Sequence, residues 1–409
     1  MKYLSNIFVQ NGGACVPFIR SYQDSGGNLR ASANISIASY KGNIVFNTRI
    51  TNYMYVPMIA SDKLMWVQTF GERGKISSHN VIGTINSTPA LYELIGENGF
   101  RLNNMCFAGL EDVRLVVWND ILYGIGFRPD VIGGMVIPQL IEYNDDLTIN
   151  RSWFLKTNKT MEKNWQPIED RPFTFMYDPD KAYLVTLNID ELQVADDPNN
   201  PTIINEIETP DFTGVLSGST QLIRLDDGGY VSICHTGHRY TGKDFYEHWV
   251  YNHYFVVYDK NLNVIWISQP FRFVTDCIEY TCGMCRDNGN IYISFSMYDG
   301  INHLLSIPID KFQNILTCMA NEPSMYEGMP NNEYMLQCYT YNNITGPIAL
   351  VYMMYLENAH MLDNVDKFNE LLSLPLFHDT HNVAGEGMLL YFITRRTDSA
   401  FLLKELTKQ

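Results

Sequence analysis

Val113-Arg-Leu-Val-Val-Trp-Asn-Asp-Ile-Leu-Tyr-Gly-Ile125 reads as a β-hairpin: an apolar run, a polar Asn-Asp turn, then a second alternating run. The pattern occurs at four more places. Before it lies Asn34-Ile-Ser-Ile-Ala-Ser-Tyr-Lys-Gly-Asn-Ile-Val-Phe46. After it come Phe173-Thr-Phe-Met-Tyr-Asp-Pro-Asp-Lys-Ala-Tyr-Leu-Val185 and Thr220-Gln-Leu-Ile-Arg-Leu-Asp-Asp-Gly-Gly-Tyr-Val-Ser-Ile-Cys234. The last is Gly283-Met-Cys-Arg-Asp-Asn-Gly-Asn-Ile-Tyr-Ile-Ser-Phe295. No strict sequence repeat accompanies them. Several are followed by a second hairpin, such as Leu140–Ile149 and Phe255–Trp266. An inner hairpin plus an outer one makes a four-stranded sheet, which is one propeller blade. Five such units in roughly 300 residues predict an all-β, five-bladed β-propeller. The competing arrangement is a pair of unrelated β domains.

The rest of the chain agrees with a β fold. The 26 Tyr, 21 Phe and 6 Trp favour strands, where flat rings pack on a pleated surface. Helix is scarce. The best candidate runs from Asn364 to Leu374, with Val365, Phe368, Leu371 and Leu372 on one stripe. Met388–Ile393 and Ala400–Leu403 read as a final hairpin. No linker rich in Pro, Gly or Ser divides the 409 residues, so one domain is expected. Residues 1–345 form the propeller in this reading. Residues 346–409 supply a helix and closing strands, one of which pairs with the N-terminal blade.

The 45 acidic and 29 basic residues give a net charge of -16, whose field repels nucleic acid and anionic lipid. A phosphate-bearing ligand remains compatible with that charge where a few Arg and Lys converge. Eight Cys are scattered, and only Cys282-Gly-Met-Cys285 has metal or redox spacing, with no second CxxC to accompany it. They read as small buried residues. Met1-Lys2-Tyr3-Leu4-Ser5-Asn6 lacks the apolar run of a signal peptide, and no stretch has the apolar length of a membrane span. A cytoplasmic, reduced protein is the expectation.

A propeller gathers its innermost strands around a central channel, so polar residues at the ends of those strands converge. Gly109-Leu-Glu111-Asp112-Val-Arg114-Leu115 places two carboxylates and an Arg where an inner strand begins. Either they are a bracing ion pair, or Asp112 is a carboxylate tuned for acid or base work, held by Arg114. In the second case Arg114 could hold a ligand phosphate instead. Glu162-Lys163-Asn164-Trp165-Gln-Pro167, ahead of the third hairpin, combines a cation, an amide and a ring. That set suits a sugar phosphate, or else it is a loop with a buried Trp. Ser217-Gly-Ser219-Thr220 offers close backbone approach to a ligand. His235, His238, His248 and His253 crowd one region, but their spacings match no standard zinc set. Arg49 and Asn52, and beyond the fifth hairpin Asp299, fall where the channel rim is expected. Arg49 suits a phosphate and Asp299 suits sugar hydroxyls.

In order, these segments resemble the five-bladed propeller family of β-mannoside phosphorylases and mannosyltransferases, together with related glycosyltransferase-like propellers. The matching marks run from about residue 33 to 305. They are Ala33-Asn-Ile-Ser-Ile37, Asn47-x-Arg49-x-x-Asn52-Tyr53, Gly109-Leu-Glu111-Asp112-x-Arg114, Glu162-Lys163-Asn164-Trp165, Ser217-Gly-Ser219, His235, Tyr254-Phe255 and Asp299. The resemblance implies that Asp112 is the catalytic acid/base, acting in the phosphorylases through a hydroxyl of the sugar. Arg49, Arg114, Lys163, His235 and Tyr254 would surround a phosphate or nucleoside diphosphate, and Asp299 would bind sugar. Asn52, Glu111, Asn164 and Ser219 complete the implied substrate contacts. The chain departs from the pattern at Val113, where the family commonly has Pro, and at Thr281 and Cys282, where Ala is usual. These departures bear on the sugar rather than on Asp112.

The expected activity is therefore glycosyl transfer, mannosyl by resemblance, from a nucleotide sugar or sugar 1-phosphate to a glycan acceptor, without cofactor or metal. Two alternatives stand beside it. One is a glycoside hydrolase using Asp112 with Asp299 or Glu279, which for inversion needs carboxylates about 6.5–9.5 Å apart. The other is a sugar-binding propeller with a disabled site.

Overall fold

A computed structural model of the chain describes residues 2–18, 22–23, 29–51, 53–57, 65–69, 75–85, 90–92, 100–102, 105–129, 134–196, 203–241, 247–274, 278–297, 299 and 301–321. The expected helix at 364–374, the closing hairpin at 388–403 and Asn52 lie outside the described residues.

The described strands form a five-bladed β-propeller. Leu29–Tyr40, Asn43–Thr51 and Lys75–Thr84 lead the first blade, which shorter strands extend. Glu111–Trp118, Ile121–Arg128, Ile137–Tyr143 and Ile149–Thr157 make the second, an antiparallel meander. The third has three strands, Gln166–Pro167, Thr174–Asp178 and Tyr183–Thr186. In the fourth, Ser217–Gly218 and Ile223–Arg224 both pair with Tyr230–Thr241, which pairs with Glu247–Tyr258. Glu279–Asp287, Asn290–Met297 and Ile301–Pro308 form the fifth.

Turn chemistry sets the inner hairpins. Lys41-Gly42, Asn119-Asp120 and Asn288-Gly289 are two-residue loops with positive φ at both positions. That is the type I′ geometry that matches strand twist, and Gly, Asn and Asp tolerate it best. The third hairpin read from the sequence, Phe173–Val185, lies one strand further out than expected. Gln166–Pro167 is the innermost strand there, too short to show alternation.

Apolar side chains pack between successive blades. Ala38, Tyr40 and Val45 meet Leu115, Leu122 and Tyr143 between the first and second blades. Trp118, Tyr123 and Leu140 meet Trp165, Phe175 and Val185 between the second and third. Ile168 and Met176 meet Cys234, Val256 and Tyr258 between the third and fourth. Phe255, Phe271 and Phe273 reach Phe295 of the fifth through a chain of ring contacts. Ile35, Ile37 and Phe46 meet Cys285 and Leu304, and the inner strands of the fifth and first blades pack together to close the ring. Stacking non-polar faces in a circle buries each sheet on both sides, which a lone sheet of this length does not achieve.

Among the described residues the closing segment is N-terminal. Ala14–Pro17 adds the outer strand of the fifth blade, and Lys2–Tyr3 pairs in parallel with Phe271–Arg272 of the fourth. Helix Leu4–Gln10 joins these two strands. A second helix, Ile309–Asn321, buries Phe312, Ile315, Leu316 and Met319, an i, i+3, i+4, i+7 stripe. That stripe is plain in the sequence and was not among the expected elements. Among the described residues, no helix is long and apolar enough to cross a membrane.

Candidate active site

Three inner strands carry the same irregularity near their starts. One extra residue is inserted between Ala33 and Ser36, between Glu111 and Arg114, and between Tyr280 and Gly283. A bulge of this kind bends the strand and re-aims a side chain. Asn34 and Asp112 occupy two of the bulges with left-handed backbone, φ 49° and 52°. Asn and Asp take that conformation more readily than other non-glycine residues, although it costs about 1–2 kcal/mol.

The bulges aim a connected set of polar groups at one place. Asp112 Oδ1 accepts from Asn34 Nδ2 at 2.7 Å and faces Arg49 Nη1 at 3.4 Å. Arg49 Nη2 donates to Glu111 Oε1 at 2.8 Å, and its Nε donates to Ser78 Oγ at 2.7 Å. Lys163 Nζ stands 3.9 Å from Glu111 Oε2. The side chains of Arg49, Glu111 and Asp112 are 5%, 12% and 16% exposed, whereas Lys163 is 43% exposed. Lys163 is thus a solvent-facing cation beside two shielded carboxylates. Asp112 Oδ2 has no hydrogen-bond partner among the described residues.

Burial alone would push the Asp112 carboxyl up. The charges of Arg49, Lys163 and Arg114, with the Asn34 hydrogen bond, outweigh it and hold Asp112 below the usual carboxylate range. Asp112 is therefore ionised at neutral pH.

Arg114 lies behind this pair and is fully buried. Its Nη1 donates to the backbone oxygen of Asp112 at 2.9 Å, not to the carboxylate. Nε donates to Ser219 O at 2.7 Å, and Nη2 faces Asn164 Oδ1, Tyr280 Oη and Gly218 O. Phe127 covers the guanidinium at 5.6 Å. One side chain thus ties the second blade to the fourth and fifth and to the segment entering the third.

Ser219 Oγ lies 2.8 Å from His235 Nδ1. Burial pushes the His235 imidazole down to about 3, with the Arg114 charge acting the same way, so His235 is a neutral hydrogen-bonding group. Its ring meets Tyr251 and Tyr280 edge-on at 5.2 and 5.1 Å. His253 is opposite His235 in register and packs against Phe271 and Phe273. The side chains of His238 and His248 lie outside the described residues. Gln221 is buried and links three blades. It donates to Ile37 O at 2.8 Å and accepts from Met284 N at 3.0 Å, joining the fourth blade to the first and fifth.

The structure therefore brings together Arg49, Glu111, Asp112, Arg114, Lys163, Asn164, Ser219 and His235. Tyr254 is apart from them. It pairs with Cys234 in register, on the strand face opposite His235, and packs towards the third blade with its hydroxyl 3.4 Å from Thr236 Oγ1. Asp299 stands in the turn after Met297 at φ 50°, and its charge reaches the buried Cys282 thiol. Glu279 is fully buried and accepts from the backbone amides of Phe273 and Val274 at 2.6 and 2.7 Å. Trp165 is core, donating to Glu162 Oε2 at 3.1 Å. Gly218 is small for a packing reason, since a Cβ there would collide with Asn164 O and Gln166. Asn34, Tyr251 and Tyr280 were not assigned from the sequence. Asn34 and Tyr280 belong to bulges that alternation does not reveal, and Tyr251 could be found only from the register that sets it beside His235.

Fold and site together define a five-bladed propeller with a charged polar cluster where its inner strands begin. No protein-family model and no curated protein sequence matches the chain. Among solved structures it is similar to a mannose phosphorylase from Leishmania mexicana in complex with a phosphate ion (15% identity, covering 72% of this chain and 90% of that one, TM-score 0.42). It is also similar to a GDP-Man-dependent mannosyltransferase from the same organism (14% identity, 68% and 86% covered, TM-score 0.40). A glycosyl hydrolase from Bacteroides ovatus is a third (10% identity, 71% and 88% covered, TM-score 0.44).

Proposed function

We propose that the chain moves a glycosyl unit, mannosyl by the resemblance of its inner-strand motifs, between a phosphate-bearing donor and a glycan acceptor, with Asp112 as the acid/base. The observation that carries this reading is Asp112 itself: an ionised carboxylate with one oxygen that has no partner among the described residues, set beside Arg49 and Lys163 in a chain of net charge -16. A proton-transfer group and cations for a phosphate share one site.

In the transfer direction the acceptor oxygen attacks the anomeric carbon, its proton passes to Asp112, and the phosphate leaves with the bonding electrons. Phosphorolysis is the reverse, with Asp112 returning the proton to the departing sugar oxygen. The same electrostatics supports both directions. A bound phosphate offsets Arg49 and Lys163, so burial regains the upper hand and Asp112 takes up a proton more readily. Arg49, Lys163 and Asn164 contact the phosphate in this account. His235 and Tyr251 form a hydrogen-bonding wall, Asp299 and Asn52 serve the sugar, and Arg114 braces the site from behind. Hydrolysis would require a second carboxylate to activate water; of the two candidates Glu279 is committed to two amides, which leaves Asp299 for that role.

Thermal melting with inorganic phosphate, and separately with a nucleoside diphosphate, tests the reading, because a ligand of the native state raises Tm. Lys163→Ala removes an exposed cation with little harm to the fold. Wild type is expected to be stabilised by at least one anion and Lys163→Ala to respond less. No response in wild type overturns the anion site.

A further inference from the structure

We infer that Tyr280 is a positioning residue that fixes the Asn164 amide so that its Nδ2 donors face a ligand oxygen; this rests on the anion reading of the site. The Tyr280 hydroxyl lies 2.7 Å from Arg114 Nη2 and 2.8 Å from Asn164 Oδ1. A guanidinium only donates, so the phenol oxygen accepts from Arg114 and its one proton goes to Asn164. Asn164 Oδ1 receives Arg114 Nη2 as well, at 2.9 Å. Turning the amide over would set an NH2 group against a cationic donor, so one orientation is enforced.

The consequence is at the other end of the amide. Nδ2 has no hydrogen-bond partner among the described residues, and Asn164 is half-buried next to Lys163. The Asn164 backbone takes the left-handed conformation, at φ 67°. Tyr280 is itself kept in place by the rings of His235 and Tyr251, at 5.1 and 6.0 Å. A donor held in advance beside a cation suits a phosphoryl oxygen, because little ordering remains to be done on binding. Without the Tyr280 hydroxyl, Arg114 alone orients the amide.

Two measurements test this. In protein labelled with 15N-asparagine, the Asn164 side-chain amide is identified by its disappearance in Asn164→Ala. Tyr280→Phe keeps the ring and is expected to shift or broaden that resonance in the free protein. Calorimetry with inorganic phosphate should show roughly fivefold weaker binding in Tyr280→Phe, the size of one net hydrogen bond. No further loss should appear when Tyr280→Phe is added to Asn164→Ala, as coupled residues are not additive. Asn164→Asp, which presents an acceptor in place of the donor, should bind more weakly than Asn164→Ala and serves if Tyr280→Phe folds poorly. An unmoved amide resonance, additive losses, or Asn164→Asp binding as well as Asn164→Ala overturns the inference. Absence of phosphate binding in wild type would instead defeat the anion reading, with the amide resonance still deciding whether Tyr280 holds Asn164.

Discussion

Asn34 Nδ2 donates to Asp112 Oδ1 across 2.7 Å, joining two bulged residues with left-handed backbone on the inner strands of the first and second blades. Each has a conformation that the regular strand would forbid, and the hydrogen bond is what the two deviations achieve together. The carboxylate is turned out of its strand and held.

Removing that donor should raise the Asp112 pKa. Asn34→Gly keeps the positive φ accessible and deletes the amide. A depressed carboxyl contributes stability that is complete above its unfolded pKa of about 3.9 and is lost as pH falls through the lower folded value. In Asn34→Gly this contribution shrinks. Transfer that needs ionised Asp112 should show its acidic limb at higher pH. A pH profile of kcat/KM checks this, and an unmoved limb would count against Asp112 as the base.

Arg114→Lys keeps the charge but cannot span the acceptors the guanidinium reaches. The carbonyls of Asp112, Gly218 and Ser219 would compete for one ammonium at a fully buried side-chain position. Denaturant unfolding should report a loss of roughly 3 kcal/mol or more, as buried acceptors go unpaired. Wild-type stability would show that the bracing role is misassigned.

The seam between the first and fifth blades carries polar contacts, among them Ser294 Oγ to Ile35 O and a cluster around Asn302. Asn302 Nδ2 donates to Ser32 Oγ and Thr48 Oγ1 at 2.6 and 2.9 Å, and its Oδ1 accepts from Ser296 Oγ at 2.5 Å. All four are buried, so Asn302→Ala takes the acceptor from the Ser296 hydroxyl and one bond from each of Ser32 and Thr48, which still pair with each other. Stability should fall by about 2–4 kcal/mol, readable as a lower Tm. An unchanged Tm would place the closure energy elsewhere, in the apolar contacts of Ile35, Ile37 and Phe46.

Much of this was legible in the chain because hairpins announce themselves locally. Lys41-Gly42, Asn119-Asp120 and Asn288-Gly289 mark turns, and alternation marks the strands beside them. Glu111-Asp112-x-Arg114 was legible because charges entering an apolar strand need partners. The partners themselves were not. Arg114 was expected at the carboxylate or a phosphate and instead meets the Asp112 backbone oxygen and, from segments distant in sequence, Ser219 O, Gly218 O, Asn164 Oδ1 and Tyr280 Oη. Tyr254 was named through the resemblance and Tyr251 was not considered; the two occupy opposite faces of one strand, and register sets Tyr251 on the face of His235. Lys2–Tyr3 and Ala14–Pro17 close the ring with strands too short to carry a periodic signal.

The most direct test of the account is turnover by Asp112→Asn. Asparagine tolerates φ near 52° and preserves the shape, while the amide cannot exchange the proton. With sugar 1-phosphates and nucleotide sugars as donors, kcat should fall about 10²–10⁴-fold. Phosphate affinity should hold or tighten, since one negative charge beside Arg49 is gone. Turnover in Asp112→Asn near that of wild type would contradict the assignment and leave Asp112 a structural partner of Arg49 and Asn34.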